Sequence, residues 1–318
     1  MSAAVESENE DMPMQLCAMH CCASCGIAEI DDIKLKDCDG CDLVKYCSDA
    51  CQEDHISEHK EACKKRGELL ELRDKFLFKQ PESTHSGDCP ICCLPIPIEI
   101  DQSKSRFYTC CSKLICKGCN VANMKREYEG RLQQKCPFCR NALPDTEEEA
   151  DAQTMKRIEA NDPAAICHMG TKRYNEGDYE AAFEFYTKAA ALEDVHAHFQ
   201  LSTMYFYGKG VEQDDKRAMY YAEMAAILGH PIARHNLGCT EERENDRLDR
   251  AAKHWIIAAK LGNDMSLERI KDLYKDGHVS KDDFTAALRG YQTAIEATKS
   301  PQRKEAEKFA QWLADRRA

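Results

Sequence analysis

The sequence predicts a mostly α-helical chain in which two small cysteine-rich modules precede an α-helical solenoid. Three observations carry this. Of the 20 cysteines in 318 residues, all but Cys167 and Cys239 lie between Cys17 and Cys139. Within that stretch they form two clusters built on Cys-x2-Cys pairs. Beyond the second cluster, alanines and aromatics recur at helical spacing in a unit of 33 to 36 residues, the signature of a stacked repeat.

Length and composition set the frame for these elements. A chain of 318 residues has room for two or three domains, and with 43% apolar and 31% charged residues most of it is expected to fold. No apolar run reaches 18 residues, so no membrane-spanning helix is expected. The segment Met1–Met14 is acidic and lacks a positive start followed by an apolar stretch, so no secretory signal is read there. The expected location is intracellular, in cytoplasm or nucleus. In that compartment Cys-x-x-Cys pairs point to metal rather than to disulfides. The net charge of −12 argues against nucleic acid as a partner, because such binding draws on Lys and Arg neutralising phosphates. Lys64-Lys65-Arg66 is the one local basic run of note.

Residues 1–16 read as a disordered tail, and residues 17–66 as the first module. Here Cys22, Cys25, Cys38, Cys41, Cys47, Cys51, His59 and Cys63 follow the pattern Cys-x2-Cys-x12-Cys-x2-Cys-x5-Cys-x3-Cys-x7-His-x3-Cys. Eight ligands suffice for two tetrahedral zinc sites. A Cys-x2-Cys pair puts two thiolates on one turn, and the i, i+4 spacings of Cys47/Cys51 and His59/Cys63 put each pair on one helix face. A module this small buries too little apolar surface to fold unaided, and metal binding makes up the deficit. The pattern resembles the MYND zinc finger. That resemblance implies interleaved sites, with Cys22, Cys25, Cys47 and Cys51 on one ion and Cys38, Cys41, His59 and Cys63 on the other. It also implies a groove for proline-containing peptides near Gln52 and Ile56, although Ile56 stands where the family has tryptophan. Cys17, His20, Cys21 and His55 fall outside the pattern and are read as bystanders. Residues 67–86 read as a helical linker, with a polar helix over about 68–78 that ends before Pro81.

Residues 87–141 form the second module. Cys89-Pro90-Ile91-Cys92 opens it, Cys110-Cys111 and Cys116-x2-Cys119 follow, and Cys136-Pro137-Phe138-Cys139 closes it. This arrangement resembles a RING finger, which is likewise cross-braced around two zinc ions. The resemblance implies one site of Cys89, Cys92, Cys116 and Cys119. The other would take Cys111, Cys136, Cys139 and a histidine two residues after Cys111, where this chain has Lys113. A protonated lysine cannot coordinate zinc. Three solutions are open: Cys110 is the fourth ligand, hydrogen bonds replace the ion as in the RING-related U-box, or another cysteine such as Cys93 steps in. The module therefore holds one or two zinc ions. RING fingers recruit ubiquitin-charged E2 enzymes, and the positions that correspond to their E2 contacts are Ile91, Pro137 and Arg140. The run from Leu94 to Ile98 reads as an extended strand.

Residues 142–162 are expected to form an acidic linker helix opened by Thr146-Glu147-Glu148-Glu149, and Asp162-Pro163 is a helix-start signal with Asp as cap and Pro in the first turn. The repeat motif then fits at Ala182/Tyr186/Ala189, Ala218/Ala222/Ala225, Ala251/Trp255/Ala258 and Ala287/Tyr291/Ala294. A second helix family alternates with it, carrying Ala197, Leu201 and Tyr205, then Ala233 and Leu237, then Ile270 and Tyr274. Gly229 and Gly262 sit where helix ends need positive φ. Small residues let helices approach, and aromatics fill the gaps between pairs that cannot bury their stripes alone. The run Tyr205-Phe-Tyr-Gly208-Lys-Gly210-Val211, with Asp214 to Ala218 and Ala225 to Ala233, resembles the Sel1-like repeat, a relative of the tetratricopeptide repeat. The resemblance covers residues 163–298 and implies a concave protein-binding surface. Cys167 and Cys239 are read as small buried hydrophobes. Residues 299–318 form a C-terminal helix.

No catalytic triad, phosphate loop or open metal site is visible, and zinc closed by four protein ligands is structural. The leading expectation is therefore a zinc-binding protein-interaction scaffold or adaptor. The alternatives are a RING-type E3 ubiquitin ligase whose repeats select substrate and, set back by Ile56, a transcriptional cofactor acting through the first finger.

Overall fold

The computed structural model describes residues 22–25, 35–38, 44–98, 104–245 and 247–315. The tail over 1–16 and Cys17, His20, Cys21 and Cys41 lie outside them. The chain forms two compact units, Met1–Leu77 and Phe78–Ala318.

In the first unit, β1 (Lys36–Asp37) and β2 (Lys45–Tyr46) pair antiparallel, with Lys36 opposite Tyr46. A small core of Cys22, Leu35, Cys38 and Tyr46 closes on Cys47, Cys51 and Cys63. Helix α1 (Asp49–Leu77) follows. Ser48 opens it, its Oγ accepting from the Cys51 amide at 3.2 Å. Cys47 therefore stands just ahead of the helix, not on its face as the i, i+4 spacing implied, because the serine cap sets the start. The separate helix expected over 68–78 is instead the last part of α1. Gly67 costs about 1 kcal/mol relative to alanine but does not break a helix, and no proline intervenes before Pro81.

The second unit opens with a loop in which Asp88 bridges Pro95; the extended strand expected over 94–98 is reduced to that single bridge. Proline at positions 95 and 97 withholds the amides that a ladder needs. Strands β3 (Ser105–Tyr108) and β4 (Lys113–Cys116) form an antiparallel hairpin with Tyr108 opposite Lys113. Its turn carries Cys110 and Cys111. Helix α2 (Lys117–Glu129) starts directly after β4.

The solenoid is a run of short, capped helices: α3 (Glu147–Glu159), α4 (Pro163–Glu176), α5 (Tyr179–Ala191), α6 (Val195–Tyr207), α7 (Asp215–Ile227), α8 (Pro231–Asn245), α9 (Leu248–Lys260), α10 (Asp264–Lys275) and α11 (Lys281–Ala297). Most have a side-chain cap. Thr146, Asp162, Asp178, Asp194, Asp214, Asn263 and Ser280 each accept from an amide of the first turn. Consecutive helices pack on one another from α3 to α11. Ala182, Tyr186 and Ala189 are sealed in one core, and Ala251, Trp255 and Ala287 in another. Close approach is literal at Gly238, where an added Cβ would come within 2.5 Å of Trp255 Nε1. Gly229 and Gly262 have φ of 88° and 98°, as a left-handed helix end requires. Tyr274 departs from the repeat pattern: it is half exposed and stacks on Phe284. Cys167 is buried, and Cys239 only partly so. Helix α12 (Pro301–Asp315) is the last described element and packs on α2.

Candidate metal centres

Four groups of cysteine and histidine converge so closely that, within each, the donor atoms all lie within 4.8 Å of one another. In the first unit these are Cys22, Cys25, Cys47 and Cys51, and separately Cys38, His59 and Cys63. Cys41, the expected fourth member of the latter, lies outside the described residues. In the second unit they are Cys89, Cys92, Cys116 and Cys119, and Cys110, Cys111, Cys136 and Cys139. In both units the pairs alternate between sites along the chain, which ties distant segments together as a cross-brace.

The donor chemistry fits zinc. A tetrahedral ion with Zn–S of about 2.3 Å sets its sulfurs ~3.8 Å apart. The sulfur separations are 3.5 Å for Cys25–Cys47, 3.6 Å for Cys47–Cys51, 3.7 Å for Cys38–Cys63, 3.8 Å for both Cys92–Cys116 and Cys111–Cys136, and 3.4 Å for Cys110–Cys139. Backbone hydrogen bonds, one between distant segments and one local, hold two of the ligand turns. The Cys22 turn is held by Ala23 N donating to Lys45 O at 2.9 Å, and the Cys89 turn by Cys93 N donating to Cys89 O at 2.8 Å.

Within the clusters the thiols diverge in pKa: Cys22, Cys89 and Cys139 are lowered, while Cys47, Cys110, Cys111, Cys116 and Cys119 are raised. Burial opposes ionisation of Cys22, but amides of Cys25, Cys47 and Ser24 outweigh it and bring its pKa down to about 6. Cys89 falls to about 4, chiefly through the Cys116 thiol, with burial opposing and backbone amides assisting. A metal ligand must be the thiolate, so Cys22 and Cys89 are the thiols of their groups that ionise most readily.

Cys110 joins Cys111, Cys136 and Cys139, while Lys113 is exposed on β4 and Cys93 is exposed outside the groups. Of the positions that correspond to E2 contacts, Ile91 is exposed and Pro137 half-buried. Arg140 is engaged within the module: its Nη1 donates to Asn123 Oδ1 at 3.0 Å and lies 3.7 Å from the buried Glu127 carboxylate. On α1, Ile56 is exposed and Gln52 half-buried. His55 stays outside the ligand groups and packs beside one of them: Tyr46 Oη and His55 Nδ1 are 3.0 Å apart, and the His55 ring stacks on His59. The Tyr46-Cys47 pair followed by a histidine one helical turn beyond Cys51 was the available signal.

Sequence reasoning missed a fifth group, His85, His196 and His230, whose nitrogens also converge. The His85 and His230 rings stack at 4.1 Å with 20° between planes, and Phe199 stacks on His230 at 4.3 Å. An ion must lie in the plane of each ring that binds it, about 2.0 Å from nitrogen. Rings stacked this closely share no such point, so this group is a packed histidine stack. Burial, then the neighbouring His196, lowers the His85 pKa to about 3; burial also depresses His196 and His230.

Comparison with known proteins assigns two of the parts. The MYND finger model matches residues 22–63, and the Sel1 repeat model matches residues 163–194, 195–230 and 233–263. Among solved structures, the chain is similar to a Sel1 repeat protein from Oxalobacter formigenes, at 25% identity and a TM-score of 0.42 over 57% of this chain and 72% of that one. It is similar to a protective antigen of uropathogenic Escherichia coli strains that displays an SLR fold, at 28% identity and a TM-score of 0.39, covering 46% of this chain and 33% of that one. An immunity protein from Pseudomonas aeruginosa matches at 20% identity and a TM-score of 0.38, over 49% of this chain and 64% of that one. No helix among the described residues is long and apolar enough to cross a membrane.

Proposed function

Because the chain carries a MYND finger and three Sel1 repeats, both of them protein-interaction modules, we propose that it is a zinc-stabilised adaptor that holds two or more proteins together. The ligand assignments above belong to this reading. Two ions sit in residues 22–63, and two more sit in the second finger, whose sites are Cys89/Cys92/Cys116/Cys119 and Cys110/Cys111/Cys136/Cys139. The metal supplies architecture: closed sets of thiolate and imidazole leave no position for a substrate. The observation that carries the adaptor reading is a cleft of about 500 Å³ on the repeats, lined by Phe206, Tyr207, Met219, Asn236 and Arg243 among others. Tyr207 is 65% exposed and Phe206 40%. Rigid aromatics with an arginine beside them are the residue types that anchor protein partners. Affinity capture with the full chain tests this. Phe206→Ser/Tyr207→Ser should lose partners that the wild type retains, with zinc content and melting temperature unchanged. An identical set of captured proteins would reject the cleft.

A second reading has one observation in its favour. With Cys110 in the second site, the RING-like frame of the second finger has a full set of eight ligands, and Ile91 and Phe138 are exposed on its two ligand loops. That face would suit an E2 enzyme. Autoubiquitination across a panel of E2 enzymes, lost in Arg140→Ala, would establish ligase activity; inactivity with every E2 would leave the finger as a binding module.

A further inference from the structure

The end of the chain reaches back to the second finger through one buried cation. Arg303, on the first turn of α12, is only 8% exposed. Its Nη1 donates to Pro95 O at 2.6 Å and to Thr298 O at 2.7 Å. Its Nη2 donates to Leu94 O at 3.1 Å and to Cys92 Sγ at 3.5 Å. Nearby, Gln302 Oε1 lies 3.9 Å from Cys119 Sγ. Helix α2 leaves space for this contact only because residue 118 is glycine; an added Cβ would come within 2.9 Å of the Arg303 side chain. Lys125 completes the seam, 2.6 Å from Glu305 and beneath the Phe309 ring.

The charge balance of this seam is incomplete without the metal cluster. Among the described residues no carboxylate pairs with Arg303, and its Nε has no hydrogen-bond partner. Backbone carbonyls solvate a guanidinium but do not neutralise it, and a buried unpaired charge is costly. The anion in reach is the cysteine group itself. Zinc with four thiolates carries a net charge of about −2, and Cys92, one of the four, already accepts from Arg303.

We propose that the metal-loaded Cys89/Cys92/Cys116/Cys119 cluster is the counter-ion of Arg303, so that loading of this site and docking of the C-terminal helix on the second finger are one coupled event. The inference rests on the reading that this cluster holds zinc. Arg303 is then a positioning residue: it steadies the Cys92 thiolate and ties the Leu94–Pro95 loop to Thr298 at the end of α11. When the ion leaves and the freed thiolates take up protons, the group loses most of its negative charge, the guanidinium keeps only a weaker counter-ion and α12 is released. The finger is thereby fixed to the last solenoid helix only while it is loaded.

The test uses the full chain. Zinc release to an excess of a chromogenic chelator is followed for wild type, Arg303→Met and Arg303→Lys, and amide exchange across residues 301–315 is read before and after removal of the ion. The kinetic phase missing from Cys89→Ser/Cys92→Ser identifies this site. The expected result is release from this site accelerated roughly 10–100-fold in Arg303→Met, if the affinity lost on removing an outer-shell partner falls on the release step, with a smaller acceleration in Arg303→Lys. In the unmutated chain, exchange of α12 should rise when this zinc leaves, a readout that does not depend on any substitution. Wild-type release kinetics in Arg303→Met, or α12 protection that survives removal of the ion, would overturn the coupling while leaving the zinc reading intact. An unchanged zinc count in Cys89→Ser/Cys92→Ser would instead remove the zinc reading and the coupling with it.

Discussion

Cys110→Ser is the sharpest perturbation, because it separates the ways in which the second finger could be completed. Cys110 Sγ lies 3.4 Å from Cys139 Sγ, in a group where Cys111 and Cys136 are 3.8 Å apart. Binding of a structural zinc is worth on the order of 10–16 kcal/mol at neutral pH. One ligand of four carries about a quarter of that, ~3 kcal/mol, or roughly a hundredfold in affinity. A serine hydroxyl is too weakly acidic to replace a thiolate. Elemental analysis after dialysis against a competing chelator should therefore find one zinc per chain fewer in Cys110→Ser. Cys93→Ser should keep the full complement, because Cys93 is exposed and outside the group. In a cobalt-substituted protein, the thiolate charge-transfer band should weaken in Cys110→Ser alone. Retention of all zinc in Cys110→Ser, or its loss in Cys93→Ser, would refute the reasoning.

Three further outcomes are expected. Gly238→Ala should destabilise the repeats by about 1–3 kcal/mol, the cost of overpacking, since its methyl would meet the Trp255 ring at 2.5 Å; an unchanged denaturant midpoint would contradict this packing. Tyr46→Phe should lower the stability of the first finger by about 1 kcal/mol, the worth of its hydrogen bond to His55, with zinc content unchanged; fluorescence-monitored unfolding of the zinc-loaded chain measures it. The histidine stack predicts acid sensitivity. His85 stays neutral in the folded chain down to about pH 3, whereas an unfolded histidine takes up a proton near 6.5, so the unfolded state binds more protons between those limits. Stability falls as pH drops below about 6.5, by at most ~1.4 kcal/mol per pH unit for each such histidine. His85→Phe should flatten that slope by about one proton in unfolding titrations, and an unaltered slope would exclude the stack as its source.

The sequence was most legible where chemistry imposes fixed spacings. Cysteine pairs at x2 place two thiols on one turn, so the paired cysteines of both modules could be written down from spacing and residue type, and their interleaving from the family resemblances. The solenoid was legible because Ala182, Ala218, Ala251 and Ala287 repeat a contact that every stacked helix pair must make. Helix ends were less so. The cap at Ser48, which moves Cys47 off α1, and the continuity of α1 through Gly67 depend on small local balances that spacing does not encode. The acidic caps at Asp178, Asp194 and Asp214 were readable as Asp ahead of each helix but carry no signal distinguishing them from other surface aspartates until the helix start is fixed.

By itself, then, the sequence determined the local devices: which cysteines and histidines stand at metal-ligand spacing, and where helices repeat. Tertiary structure alone decided which distant groups meet. Cys110 rather than Cys93 completes the second group because the β3–β4 hairpin turn presents both Cys110 and Cys111 to Cys136 and Cys139. His85, His196 and His230 stack although 111 residues separate the second from the first and 34 the third from the second. Arg303 reaches Cys92 across 211 residues. The physical reason is common to all three. Burial and charge pairing are properties of a place in space, and a sequence records a place only where the spacing along the chain is short enough to define it.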